Sequence, residues 1–263
     1  LALLSPLEVL CHRVLWSMLL CLTVLVAAGR LAEMVRTLNS PRLLWGLAAS
    51  SLCVTANWGC YIWAVTRHQA VDAGLAYFAM PLVTLALGVV LLRERLTRRQ
   101  MAAVGLLLLA VLILALDRGR LPWVLVALPI TFGLYGFVRK QLVVDALVGV
   151  SVETLLMAPL AIAYLLLLPE GGALLGGNGM TRTLLVASGA VTAVPLVLYS
   201  FAARRLSLAD FGMVQYINPI LQLLCAVTLL GEPLGGAQFS ALLLIWLGLL
   251  IYSLPLPRRT ATS

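Results

Sequence analysis

The sequence predicts an all-α polytopic membrane protein, and three observations carry that expectation. Of its 263 residues, 62% are hydrophobic and only 11% charged, with a mean hydropathy of +1.07; a water-soluble domain has about a quarter charged residues. The apolar residues gather into segments near the roughly 20 residues that a helix needs to cross a bilayer, separated by short polar breaks. The chain also repeats itself at an offset of 138 residues: Asp72, Gly74, Pro81, Glu94, Leu96 and Gln100 return as Asp210, Gly212, Pro219, Glu232, Leu234 and Gln238. Tyr61, Ala64 and Arg67 return in the same register as Tyr199, Ala202 and Arg205. A unit this long is a duplicated domain, not a solenoid repeat.

Nine spans follow in order. The first, 7–28, leads into a loop carrying Arg30, Arg36 and Arg42 and broken by Asn39-Ser40-Pro41. The second, 43–65, and the third, 71–92, precede the Arg93–Arg99 charge cluster, and Pro81 falls midway along the third. The fourth, 99–116, stops at Asp117-Arg118-Gly119-Arg120, and the fifth, 121–138, ends on Arg139-Lys140. The sixth, 146–168, is followed by the Gly-rich stretch 171–179, which reads as a flexible connector. The seventh, eighth and ninth cover 182–203, 209–230 and 238–254.

Lys and Arg are unevenly distributed between the two sides. Thirteen (Arg30, Arg36, Arg42, Arg93, Arg95, Arg98, Arg99, Arg139, Lys140, Arg204, Arg205, Arg258, Arg259) fall on one face and four (Arg67, Arg118, Arg120, Arg182) on the other. Positive residues collect in the cytoplasm, so the C-terminus is expected inside and residue 1 outside. The turn after the third span is then cytoplasmic while its copy after the eighth is external. The two units, 1–117 with four helices and 118–263 with five, are therefore inverted, a frequent build of secondary transporters with a solute site at the repeat interface. The fifth span has no counterpart in the first unit, and the chain begins outside. One further N-terminal helix of about 20–25 residues is expected, completing a five-plus-five arrangement.

Other classes find little support. The net charge of +8 and pI near 9.7 come from bases in short turns, where topology explains them better than nucleic acid does. Cys11, Cys21, Cys53, Cys60 and Cys225 lie in apolar spans without metal-ligand spacing. With His12 and His68 the sole histidines, no metal or cofactor is expected. No GxxxxGK[ST], HExxH or GxSxG motif is present, so neither ATP hydrolysis nor a familiar hydrolase is indicated. Two competing readings are a membrane-embedded lipid-modifying enzyme, which needs paired acids or a metal, and a non-transporting scaffold, which needs no solvated cavity.

Polar side chains inside apolar spans are costly and mark candidate sites. They are His12, Arg13 and Trp16 in the first span, Asn57, Trp58 and Tyr61 in the second, and Tyr77 in the third. Glu153 lies in the sixth, with Gln215, Tyr216 and Asn218 in the eighth. His12 and Arg13 have snorkelling as an alternative, and Asn57 and Asn218 have interhelical bonding. Glu153 is too deep to snorkel, so a buried partner is expected, with Arg13 the candidate at similar depth. Glu153 is also the expected titrating group if a proton gradient drives transport. Trp58 and Tyr61 offer a stacking surface for a flat ligand. Pro81 and Pro219 read as hinges, and Glu94 and Glu232 as gate or turn residues.

At these residues the chain resembles the RarD branch of the EamA-type permeases in the drug/metabolite transporter superfamily. The resemblance rests on Glu8-Val-Leu-Cys-His12-Arg13-Val-Leu-Trp16-Ser17, on Asn57-Trp58 with Tyr61 and Trp63, and on Ala76-Tyr77-Phe78 with Pro81. It extends through Tyr135-Gly-Phe-Val-Arg139-Lys140, Glu153-Thr154, Gln215-Tyr216-Ile217 with Pro219, and Gly231-Glu232. It implies ten helices in two inverted five-helix repeats, a central cavity, cytoplasmic termini, and export or uptake of small metabolites or drugs. A bacterial inner membrane is the expected location, and a monomer or homodimer the expected assembly. Members of this branch are commonly labelled chloramphenicol-sensitivity or resistance permeases. Two departures stand out: Met80 replaces an expected Asn, leaving Asn218 as the polar member, and Arg93-Glu94 replaces Gly-Glu.

Overall fold

A computed structural model describes residues 4–66, 70–117, 123–168, 172–221, 224 and 235–253. All the regular structure among them is helical, and the eight long helices end within three residues of the expected spans. They are α1 (Pro6–Ala27), α3 (Pro41–Thr66), α4 (Ala70–Leu91), α5 (Arg98–Asp117), α6 (Val124–Gln141), α7 (Ala146–Leu166), α9 (Gly179–Arg205) and α11 (Gly236–Ser253). Five of these, α1, α5, α7, α9 and α11, are each long and apolar enough to cross a bilayer unaided.

Three results differ from expectation. The loop after the first span contains an eight-residue helix, α2 (Leu31–Leu38). The Gly-rich connector contains one helical turn, α8 (Gly172–Gly176). The eighth span is divided: α10 (Leu208–Gln215) ends in a turn at Tyr216, and residues 217–221 resume as helix. Pro219 explains that break, since it lacks an amide and its ring collides with the carbonyl four residues earlier, here that of Gln215. α4, by contrast, runs unbroken through Pro81.

Local chemistry sets the ends. Asp145 accepts the Leu147 amide at 2.9 Å and Asn178 the Thr181 amide at 2.8 Å, capping α7 and α9. Thr97 and Gln100 exchange side-chain and backbone bonds in a capping box that starts α5. Ser207 accepts the Asp210 amide at 2.9 Å and starts α10.

Packing places α4 at the centre, against α6 on one side and α10 on the other, while α5 pairs with α11 and α1 lies between α7 and α9. Leu82, Leu85, Leu107, Leu114, Tyr216 and Ile245 form one core; Leu25, Leu47, Val148 and Val152 form part of another. Small residues allow close crossings, as in other membrane bundles: a Cβ on Gly212 would lie 2.6 Å from the Pro81 carbonyl oxygen. The outer faces are apolar and exposed, for example Leu108, Leu112 and Leu116 along α5, as lipid contact requires.

Candidate functional site

Between α1, α3, α4, α6, α9 and α10 lies a cavity of about 740 Å³. Of the residues expected at a site, Arg13, Asn57, Trp58, Tyr61, Tyr77, Gln215 and Asn218 line it. Met80, Phe132, Val191, Thr192, Pro195, Leu196 and Tyr199 complete the described wall. α9 therefore supplies a side of the cavity to which the sequence reading assigned no residue. The signal was available: Pro195, Leu196 and Tyr199 stand 138 residues after Asn57, Trp58 and Tyr61.

The polar groups on this wall are held by defined bonds. Arg13 donates from Nε to the Thr192 hydroxyl at 2.8 Å, and its guanidinium carbon lies 5.7 Å from the Trp58 ring centroid. Asn57 donates to the Leu128 carbonyl at 2.9 Å and to the Thr131 hydroxyl at 3.0 Å, so its amide nitrogen braces α3 on α6. Gln215 donates to the Thr84 hydroxyl at 3.2 Å, which leaves its carbonyl oxygen buried without a partner among the described residues. The Tyr199 hydroxyl is in the same position. Aromatic rings form much of the remaining wall: Tyr61 meets Tyr77 edge-on at 6.3 Å, and Phe132 meets Tyr199 at 4.8 Å.

Four expected site residues lie elsewhere. His12 is buried on another face of α1, and Trp16 packs against Gly189 of α9. Tyr216 is fully buried in the α4–α5–α10–α11 core. Glu153 faces α3 and α6, and the expected Arg13–Glu153 pair does not form. Instead Glu153 lies 3.6 Å from Arg139 Nε and accepts from the Ser50 hydroxyl at 2.5 Å and the Tyr135 hydroxyl at 3.3 Å. The reason is rotational: Arg13 projects from α1 toward Thr192 and Trp58, whereas Arg139, Tyr135 and Ser50 converge on the α7 face that bears Glu153.

Arg139 and Glu153 are 0% and 3% exposed. Arg139 Nε also donates to the Ser200 hydroxyl at 3.2 Å, and Ser200 bonds Tyr135 at the same distance. The network thus ties α3, α6, α7 and α9 together. Tyr135 stacks on Tyr199 with centroids 5.4 Å apart, so the charged cluster and the cavity wall share one aromatic partition.

Glu94 is not among the residues that line the cavity. Its two carboxylate oxygens accept the Leu208 and Ala209 amides at 2.8 and 2.9 Å, capping α10 from the end of α4. Glu232, its copy, lies outside the described residues.

Known proteins agree with this architecture. The EamA-like transporter family matches residues 1–116 and again 121–254. Protein RarD of Salmonella typhi is 38% identical over 247 residues, covering 93% of this chain and 84% of that protein. An uncharacterized transporter of Vibrio cholerae is 38% identical over 252 residues, covering 95% of this chain and 83% of its own. The chloramphenicol-sensitive protein RarD of Pseudomonas aeruginosa is 30% identical over 252 residues, covering 94% and 84%. A crystal structure at 20% identity superposes with a TM-score of 0.73 over 95% of this chain and 88% of that one, and supports the fold alone. The chain belongs to the EamA-like transporter family, as a RarD-type member.

Proposed function

We propose that the protein is a secondary transporter of small organic solutes in a bacterial inner membrane, working by alternating access between two inverted units, 1–117 and 118–263. The observation that carries this reading is the pairing of cavity-wall positions. Asn57 and Pro195, Trp58 and Leu196, Tyr61 and Tyr199, Tyr77 and Gln215, and Met80 and Asn218 each stand 138 residues apart. A solute held by equivalent positions of two repeats is equally reachable when either repeat swings aside, which is what alternating access needs.

In this reading the C-terminus is cytoplasmic, which the distribution of Lys and Arg supports. Glu94 then joins the end of α4 to the start of α10 on the cytoplasmic side, acting as a gate contact, while Pro81 and Pro219 allow the two units to bend. The driving force is a proton gradient, with Glu153 as the titrating group acting through Tyr135 on the wall residue Tyr199. The name of the Pseudomonas relative makes chloramphenicol a sensible member of any solute panel.

The test is reconstitution in liposomes with amino acids, metabolites and drugs under an imposed pH gradient. Flux of at least one solute is expected; neither flux nor binding across a broad panel would sink the proposal. Glu153→Gln should keep solute binding while losing the dependence of flux on the gradient. Unchanged gradient dependence would assign coupling to another group.

A further inference from the structure

We propose that the cavity takes an organic carboxylate with a flat apolar body, its carboxylate held by Arg13; this rests on reading the cavity as the solute site. The starting point is a contrast between two arginines. Arg139, buried away from the cavity, has its counter-ion within the fold, with Glu153 at 3.6 Å. Arg13, on the cavity wall, is bonded to a neutral hydroxyl and stacked near a neutral ring. Among the described lining residues it is the sole formally charged side chain. The other ionisable side chains on its wall are the phenols of Tyr61, Tyr77 and Tyr199.

A guanidinium held within a bundle is costly without a counter-charge, and positions that keep one are functional by default. The bond to Thr192 uses Nε and fixes the plane of the group, leaving the two terminal nitrogens as a fork of donors. That fork matches the planar, two-oxygen geometry of a carboxylate. A phosphate dianion fits less well, because a single arginine would leave one charge uncompensated among apolar walls. An ammonium is excluded by repulsion.

The rest of the wall describes the rest of the molecule. Trp58, Tyr61, Tyr77, Phe132 and Tyr199 present ring faces and edges suited to a flat apolar body.

Equilibrium binding of radiolabelled phenylacetate, with phenylacetamide and phenethylamine as matched neutral and cationic probes, tests this on the purified protein. Phenylacetate should bind at least ~10-fold tighter than either analogue, the ratio expected of one hydrogen-bonded charged contact. Arg13→Gln should reduce phenylacetate affinity by about the same factor while leaving phenylacetamide binding in place, which also reports that the variant is folded. Arg13→Lys should recover part of the loss. Equal binding of all three probes, or a preference that survives Arg13→Gln, would overturn the carboxylate assignment and leave the cavity a solute site. Binding of none of them would overturn the assignment, and if the broad panel also gave neither binding nor flux, the transporter reading would fall with it.

Discussion

Glu153 and Arg139 show how a single pair of residues is judged by what each leaves behind. Removing the carboxylate strands a guanidinium whose terminal nitrogens already lack partners among the described residues, and arginine cannot shed its proton. Removing the guanidinium leaves a carboxyl that can neutralise itself by taking one up. Glu153→Gln should therefore cost about 3 kcal/mol, near the low end for breaking a buried pair, and Arg139→Met distinctly less. Thermal unfolding in detergent reads both, and the reverse ranking would contradict the argument. The sequence showed that Glu153 needs a partner but named the wrong arginine. Depth along a helix can be counted from sequence, whereas the face on which α6 crosses α7 cannot. Arg93 is a second case. It adopts φ +55°, a conformation that glycine takes readily, at the position where the resemblance led us to expect Gly. Arg93→Gly should relieve about 1 kcal/mol of backbone strain. Part of that is offset by the greater freedom of glycine in the unfolded chain, so a net gain of about 0.5 kcal/mol is expected in the same unfolding assay.

At the level of elements, the long helices were legible because lipid selects for uninterrupted apolar length, and eight of them end where hydropathy said they would. The short helix α2 was not, because three arginines near it dominated the reading of that loop as a topology signal. Its apolar spacing, Leu31, Met34, Val35 and Leu38, was the clue. Charge also fastens α2 in place: Arg30 bridges Glu33 at 2.7 Å and the α7 cap Asp145 at 3.1 Å. The Arg30 hydrogen bond holds the Glu33 carboxyl below its ordinary 4.5. Burial pushes the Asp145 carboxyl upward, but the Arg30 bond and the Leu147 amide outweigh it and hold it below 3.8. Both groups titrate lower when folded than when unfolded. Their contribution is thus complete above those ordinary values and is lost as pH falls through the folded ones. The protection factors of the α2 amides should fall as pH drops below about 4.5, and Arg30→Gln should abolish that fall. An acid response unaffected by Arg30→Gln would place the acid-sensitive contact elsewhere.

The whole molecule is a duplicated chain whose halves make different contacts at matched positions. Gly212 of α10 is pressed against the Pro81 carbonyl of α4, and Glu94 bonds the Leu208 and Ala209 amides beside it. The seam between α4 and α10 is closed at this end. Gly74, the copy of Gly212 138 residues earlier, has no described atom within 4 Å of a Cβ built on it. If the units exchange roles, as proposed, the crossing now made at Gly212 is remade at Gly74 in the opposite state, and a large side chain there would obstruct it. Gly74→Leu should therefore not destabilise the present state, since no described atom meets its Cβ and leucine favours a helix over glycine by up to about 1 kcal/mol. The same variant should still bind solute in this state, yet reduce flux in liposomes at least ~10-fold, equivalent to about 1.4 kcal/mol on the opposing conformation. Gly212→Leu should behave differently, destabilising the present state because its Cβ already meets backbone. Flux that survives Gly74→Leu unchanged would mean that the two glycines do not trade places, and that the repeat in the sequence records ancestry without a symmetric cycle.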